Sequence, residues 1–163
     1  MLPAVSTYGA WLAIVRIITG IIWFIHGIGK VLNPQWAVSG GTCAQLLQQM
    51  TAHTTGAYHD FIINTVLPNI SIFAHLVAFG ETLTGVSLIL GLLSRFGGFV
   101  GVFLALNYWA AKGSFAHLDG YSGLDMTTAA LSFVHWVLPT GRVAGFDALF
   151  GRTRRTRASV INR

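Results

Sequence analysis

Hydrophobic residues in this chain neither alternate nor keep to one helical face. They run on in stretches with few charges, of about the length needed to cross about 30 Å of hydrocarbon at 1.5 Å per residue. Four such stretches predict four transmembrane helices, at 8–31, 70–93, 96–112 and 122–138. Asn33-Pro34 breaks the chain after the first, Pro68 precedes the second, and Arg95 and Lys112 flank the third, where both cations can snorkel to the interfaces. The fourth is short and carries Asp125 and His135, so a helix lying on the bilayer is its alternative reading. The first does not read as a cleaved signal peptide, because nothing basic precedes it and its apolar run is too long.

Composition agrees with oil as the solvent. Of 163 residues, 53% are apolar and 9% charged, and mean hydropathy is +0.64, whereas a soluble domain carries about a quarter charged residues. A single all-α membrane domain over 1–163 is expected, a four-helix transmembrane bundle. Cys43 is the one cysteine, which excludes an internal disulfide and any dithiol or Cys-ligated metal chemistry. The net charge of +5 would suggest nucleic acid, but five of the ten basic residues lie in the last twelve positions. Attraction of this 151–163 tail to anionic lipid accounts for it without nucleic acid.

The connection 32–68 contains no Lys or Arg. Arg95, Arg142, Arg152, Arg154, Arg155, Arg157 and Arg163 fall on one side of the spans, against Lys30 and Lys112 on the other, so both termini are expected in the cytoplasm. The long connection then faces outward. Its Thr51–Val66 portion reads as an amphipathic helix on the bilayer, with Tyr58, Phe61, Ile62 and Val66 on one face and Trp36 as an anchor. Arg142–Phe150 repeats that character on the inner surface. Gly20 with Gly27, Gly80 with Thr84 and Gly85, and Gly97 with Gly101 give small-residue faces suited to close helix packing.

Charges inside a span are costly and need partners. Arg16 lies fourteen residues before Lys30 and Glu81 eleven after Ile70, depths of about 21 and about 16 Å from the outer helix ends. That predicts a buried Arg16–Glu81 pair with a structural role; the alternative is a snorkelling Arg16 and a protonated Glu81. Nearer the outer face, His26 and Lys30 share a side of the first helix by their i,i+4 spacing. Asn107, Tyr108, Lys112, His117 and Asp125 lie at comparable depth. His26, Lys30, Asn107 and Asp125 are therefore the candidate lining of a pocket for a quinone headgroup, whose carbonyls accept hydrogen bonds and whose reduction takes up protons. Alternatively these are ordinary headgroup-boundary residues. Haem between His26 and His75 is conceivable but disfavoured, and His53, His59 and Cys43 form no metal spacing.

Three stretches, RIITGIIWFIHGIGKVLNP at Arg16–Pro34, ETLTGVSLILGLLSR at Glu81–Arg95 and GRVAGFDALFGR at Gly141–Arg152, resemble the DoxX/DoxD family of small membrane proteins. The resemblance rests on Arg16, Gly20, His26, Gly27 and Lys30 in the first stretch and on Glu81, Gly85, Gly91 and Arg95 in the second. It implies a four-helix membrane protein of a bacterial or archaeal plasma membrane. For DoxD-like members it implies a subunit of thiosulfate:quinone oxidoreductase that passes electrons to quinone beside a partner handling sulfur. The chain shows no redox centre of its own, so other protein subunits are expected. The competing expectation is a non-catalytic subunit of a larger respiratory or photosynthetic complex. A transporter is disfavoured, since neither a repeat between halves nor a broken helix is visible.

Overall fold

The computed structural model describes residues 7–52, 54–113 and 121–149. Helix α1 covers Thr7–Val31, α2 Thr42–Thr51 and α3 Ala57–Phe61, which runs on into a π-helical turn at Ile62–Val66. Then follow α4 at Ile70–Leu90, α5 at Ser94–Ala111, α6 at Tyr121–Val137 and a 3-10 turn at Thr140–Arg142. Among the described residues, α1 over Tyr8–Val31 and α4 over Ile70–Leu90 are long and apolar enough to cross a membrane. At 18 and 17 residues, α5 and α6 are shorter.

The four long helices pack as antiparallel neighbours, α1 on α4, α4 on α5 and α5 on α6. Glycine sets the seams. A methyl group at Gly20 would lie 2.7 Å from Ile89 N, and one at Gly85 2.6 Å from Phe24 Cα; one at Gly27 would overlap the Thr82 backbone. In lipid no hydrophobic force drives helices together, so such close backbone packing and interhelical hydrogen bonds carry the association. Gly97 and Gly101, expected to form one face, serve two: Gly97 meets Ser87 of α4 and Gly101 meets Ser132 of α6. Between α1 and α6, Trp23 Nε1 donates to Ser132 Oγ at 3.0 Å and His135 Nε2 lies 3.3 Å from Thr19 Oγ1.

Polarity is inside out. Arg16, Thr19, Glu81, Thr84, Ser132 and His135 are buried, while Ile18, Ile25, Leu76, Leu83, Phe96 and Phe103 are each more than half exposed. An aqueous fold would reverse that arrangement.

Helix α4 ends at Leu90, three residues before the predicted boundary. Gly91 takes a left-handed φ of 63° and Leu92 N donates to Ser87 O at 3.0 Å, which closes the helix. The outer connection also departs from expectation. The Thr51–Val66 segment is not one helix lying on lipid, because α2 ends at Thr51 and the chain turns through Gly56 at φ 100°. Ile62 and Val66 pack with Ala44, Ile70 and Ala111, so this face covers the outer end of the bundle. Trp36 is buried and donates from Nε1 to Ala74 O at 3.0 Å. At the other end the described part of the expected Arg142–Phe150 surface helix, residues 142–149, is not one continuous helix. Its backbone is tied to α1 and α4 through Arg16, described below, although Phe146 and Leu149 remain exposed. His53, His117 and the 151–163 tail lie outside the described residues.

Candidate functional site

The α1–α4 register decides which ionisable groups meet. Gly20 opposite Ile89, Phe24 opposite Gly85 and Gly27 opposite Thr82 put Val31 level with Ala78, so α4 runs on past the end of α1 by about eight residues, or about 12 Å. Lys30 is thereby level with Phe79, within side-chain reach of Glu81. Lys30 Nζ donates to both carboxylate oxygens of Glu81 at 2.5 Å and to Tyr108 OH at 2.6 Å. Tyr108 OH donates in turn to Glu81 Oε1 at 2.6 Å. All three N–H groups of Lys30 are thus engaged, and the buried carboxylate is matched by one cation and one phenol.

Four elements build this cluster. Lys30 comes from the last turn of α1, Glu81 from the middle of α4 and Tyr108 from α5, and the outer connection closes over them. The Lys30 ammonium lies 5.2 Å from the Trp36 ring centroid and 4.9 Å from that of Tyr108. Cys43 packs beside Trp36; burial pushes its thiol above the usual range, with the Lys30 charge opposing. The side chain of Lys30 remains 16% exposed and that of Glu81 2%. One turn inward from Glu81, the Thr84 hydroxyl is buried with no hydrogen-bond partner. Thr19, Thr51, Thr82, Thr127 and Thr128 each donate to the carbonyl four residues back. Thr84 does not.

Arg16 and Glu81 are both buried, as expected, but they do not pair. The depth reckoning placed the outer ends of α1 and α4 level, whereas α4 overhangs. Arg16 is consequently level with Leu93, at the inner end of α4. Its Nε donates to Leu88 O at 2.9 Å, Nη1 to Thr140 O at 2.8 Å and Val143 O at 3.0 Å, and Nη2 to Ala144 O at 3.0 Å. The cation is solvated by carbonyls, one of them, Leu88 O, at the negative end of α4. The guanidinium fits because Gly91 and Gly145 leave it room. Asp147 completes this end, accepting from Leu93 N at 2.7 Å and from Ser94 N at 3.0 Å and Oγ at 2.7 Å.

The other expected pocket residues divide. His26 is exposed on α1, one turn from Lys30, and is not among the residues bonded in the cluster. Asn107 accepts from Tyr58 OH at 2.8 Å on a neighbouring face of α5. Asp125 forms a second ion pair, Oδ2 to Lys112 Nζ at 2.7 Å, between α6 and α5. Of the four lining candidates, only Lys30 belongs to the cluster, whereas Glu81, assigned to the other pair, does belong. Trp36 was legible as an aromatic but not as a wall of this site.

A family model described as the TQO small subunit DoxD, TQO being thiosulfate:quinone oxidoreductase, matches residues 11–159. The chain belongs to the DoxD family. Comparison with curated proteins and with solved structures gives no match. The DoxD match spans the Lys30–Glu81–Tyr108 cluster, the Arg16 clamp and the Lys112–Asp125 pair alike. Most of the positions that carried the DoxX/DoxD resemblance have a physical task here. Gly20, Gly27 and Gly85 seat α1 on α4, Arg16 and Gly91 lock the inner end, Lys30 and Glu81 form the outer ion pair, and Arg95 Nε donates to Trp136 O at 2.9 Å. Among the described residues, no contact gives His26 such a task.

Proposed function

We propose that this chain is a multi-pass membrane subunit of a thiosulfate:quinone oxidoreductase-type complex, and that its Lys30–Glu81–Tyr108 cluster receives the quinone headgroup. All four long helices cross the plasma membrane of a bacterium or archaeon, with both termini cytoplasmic. The observation that carries the reading is a lysine–carboxylate–phenol network buried between helices whose outer faces are apolar, which is the setting in which intramembrane ionisable groups serve chemistry. Membership in DoxD names the reaction class.

Reduction of a quinone to its quinol requires electrons, which we assign to a partner subunit, and protons delivered at the ring oxygens. Lys30 is suited to donate a hydrogen bond to a ring carbonyl, and its positive charge favours the negative charge that reduction places there. Glu81 holds Lys30 in position and can carry a proton. Tyr108 fixes the carboxylate by donating to Oε1. The unpaired Thr84 hydroxyl is a further donor beside the cluster, and the apolar walls suit a ring with few polar atoms.

One observation favours a second reading. The three N–H groups of Lys30 are all satisfied within the protein, as they would be if the cluster only stapled three helices in a non-catalytic subunit. The complex purified gently from native membranes separates the two. Wild type is expected to carry extractable quinone and to reduce added short-chain quinone with thiosulfate as donor. Lys30→Gln and Glu81→Gln are expected to lower that rate at least about 100-fold in an assembled complex, the scale of losing a positioned acid–base group. A quinone-free complex whose rate survives both substitutions leaves the structural reading standing.

A further inference from the structure

A site that consumes protons must be resupplied, and the surroundings of Glu81 leave few directions. Toward the outer connection, Lys30 is covered by the Trp36 ring, with Cys43 beside it, and neither is a proton carrier there. Inward, Thr84 is followed by the apolar Leu88, Leu104 and Ala105, and the Trp23–Ser132 and Thr19–His135–Thr140 hydrogen bonds beyond them end at the Arg16 cation. Such a cation opposes the passage of protons from that face. On one side of α5, Tyr58 and Asn107 bond to each other, and an amide does not titrate.

The remaining direction is the seam between α5 and α6. Lys112 lies one turn beyond Tyr108 and shares its side of α5 by the i,i+4 spacing. Its ammonium holds Asp125 of α6 at 2.7 Å, and the two side chains keep 22% and 13% of their exposure. Asp125 is thereby held within about one helical turn of Tyr108 along the face of α5. The pair therefore touches the outer surface on one side and neighbours the cluster's phenol on the other. Among the described residues, the charged and titratable groups around this route are Lys112 and Tyr108 on α5, Glu81 on α4, Lys30 on α1, Cys43 on α2 and Tyr58 on α3.

We propose that Asp125, held in place by Lys112, is the proton-intake residue of the Lys30–Glu81–Tyr108 site. This assignment rests on the quinone reading above. Asp125 first takes a proton from the outer solution. The Lys30 ammonium, the acid of the ion pair, gives a proton to a reduced ring oxygen: its N–H bond breaks and the ring O–H bond forms. The amine takes the Tyr108 O–H proton, and the phenolate takes a replacement from Asp125 through a bridging water, so each transfer breaks one bond to hydrogen and forms one. The electrons come from the sulfur-oxidising partner and do not pass along this route.

The test is steady-state quinone reduction by the purified complex with a short-chain quinone, together with its quinone content. Asp125→Asn is expected to lower kcat at least about 10-fold with KM unchanged, to enlarge the slowing in heavy water, and to be partly restored by small weak acids such as formate. Asp125→Glu should retain most of the rate. Lys112→Gln leaves the carboxylate but not its positioning partner, so it should lower kcat by less than Asp125→Asn and without restoration by formate. Wild-type kcat in Asp125→Asn, or equal losses in Asp125→Asn and Lys112→Gln, overturns the proposal. A wild-type complex that neither holds nor reduces quinone defeats the quinone reading instead, and is recognised before any variant is made.

Discussion

Lys30 and Arg16 are carried on one helix, and each solves its burial differently. Lys30 is neutralised by a carboxylate, the arrangement that leaves a movable proton. Arg16 is solvated by four carbonyls, which no lysine could match, because only the planar guanidinium presents its donors in several fixed directions. The first is suited to chemistry and the second to holding the chain end against the bundle. Thr84 belongs with the first. Replacing it by valine removes an unpaired buried hydroxyl of nearly the same shape, so the ligand-free chain should unfold at a higher temperature in detergent, with a gain of about 1 kcal/mol. The same substitution should raise KM for quinone several-fold, and Thr84→Ser should restore it. If Thr84→Val instead destabilises the ligand-free chain, the hydroxyl has a partner in the fold and is no candidate donor to a ligand.

At the scale of helices, two devices hold the ends. The α1–α4 seam is set by backbone approach at Gly20, Gly27 and Gly85, and that register in turn places Lys30 beside Glu81. Helix α5 begins at Ser94, and Leu93 before it has a φ of 53° and offers no capping side chain of its own. Asp147 supplies that cap from fifty-three residues downstream and puts a negative charge at the positive end of the helix. Asp147→Ala should cost about 1 to 3 kcal/mol of stability, the range for a lost charge-assisted hydrogen-bonded cap. It should loosen the 140–149 segment first, visible as faster hydrogen exchange at Leu93 and Ser94 amides. Unchanged exchange there would show that the contact contributes nothing to the helix start.

For the whole molecule, an apolar exterior around a polar interior makes orientation the property to measure. Gln48 lies exposed on α2, in the connection without Lys or Arg. In a Cys43→Ser background, Gln48→Cys should react with a membrane-impermeant maleimide added to intact cells, while reporters fused to either terminus stay inside. Labelling only after lysis would reverse the orientation. The sequence by itself determined the solvent, because long uncharged runs with 9% charged residues suit hydrocarbon. It also determined that Arg16, Lys30, Glu81 and the seam glycines matter, since a buried charge or a missing side chain in a span needs a reason. It could not determine who meets whom. Arg16 is satisfied by carbonyls at Leu88, Thr140, Val143 and Ala144, and a carbonyl is present at every residue, so no pattern of side chains announces it. The overhang of α4 beyond α1 is likewise invisible along the chain, because register is set by how two glycine-lined surfaces fit. Only the tertiary structure could exchange the expected Arg16–Glu81 pair for Lys30–Glu81: a displacement of about 12 Å carries one cation out of reach of the carboxylate and brings the other onto it.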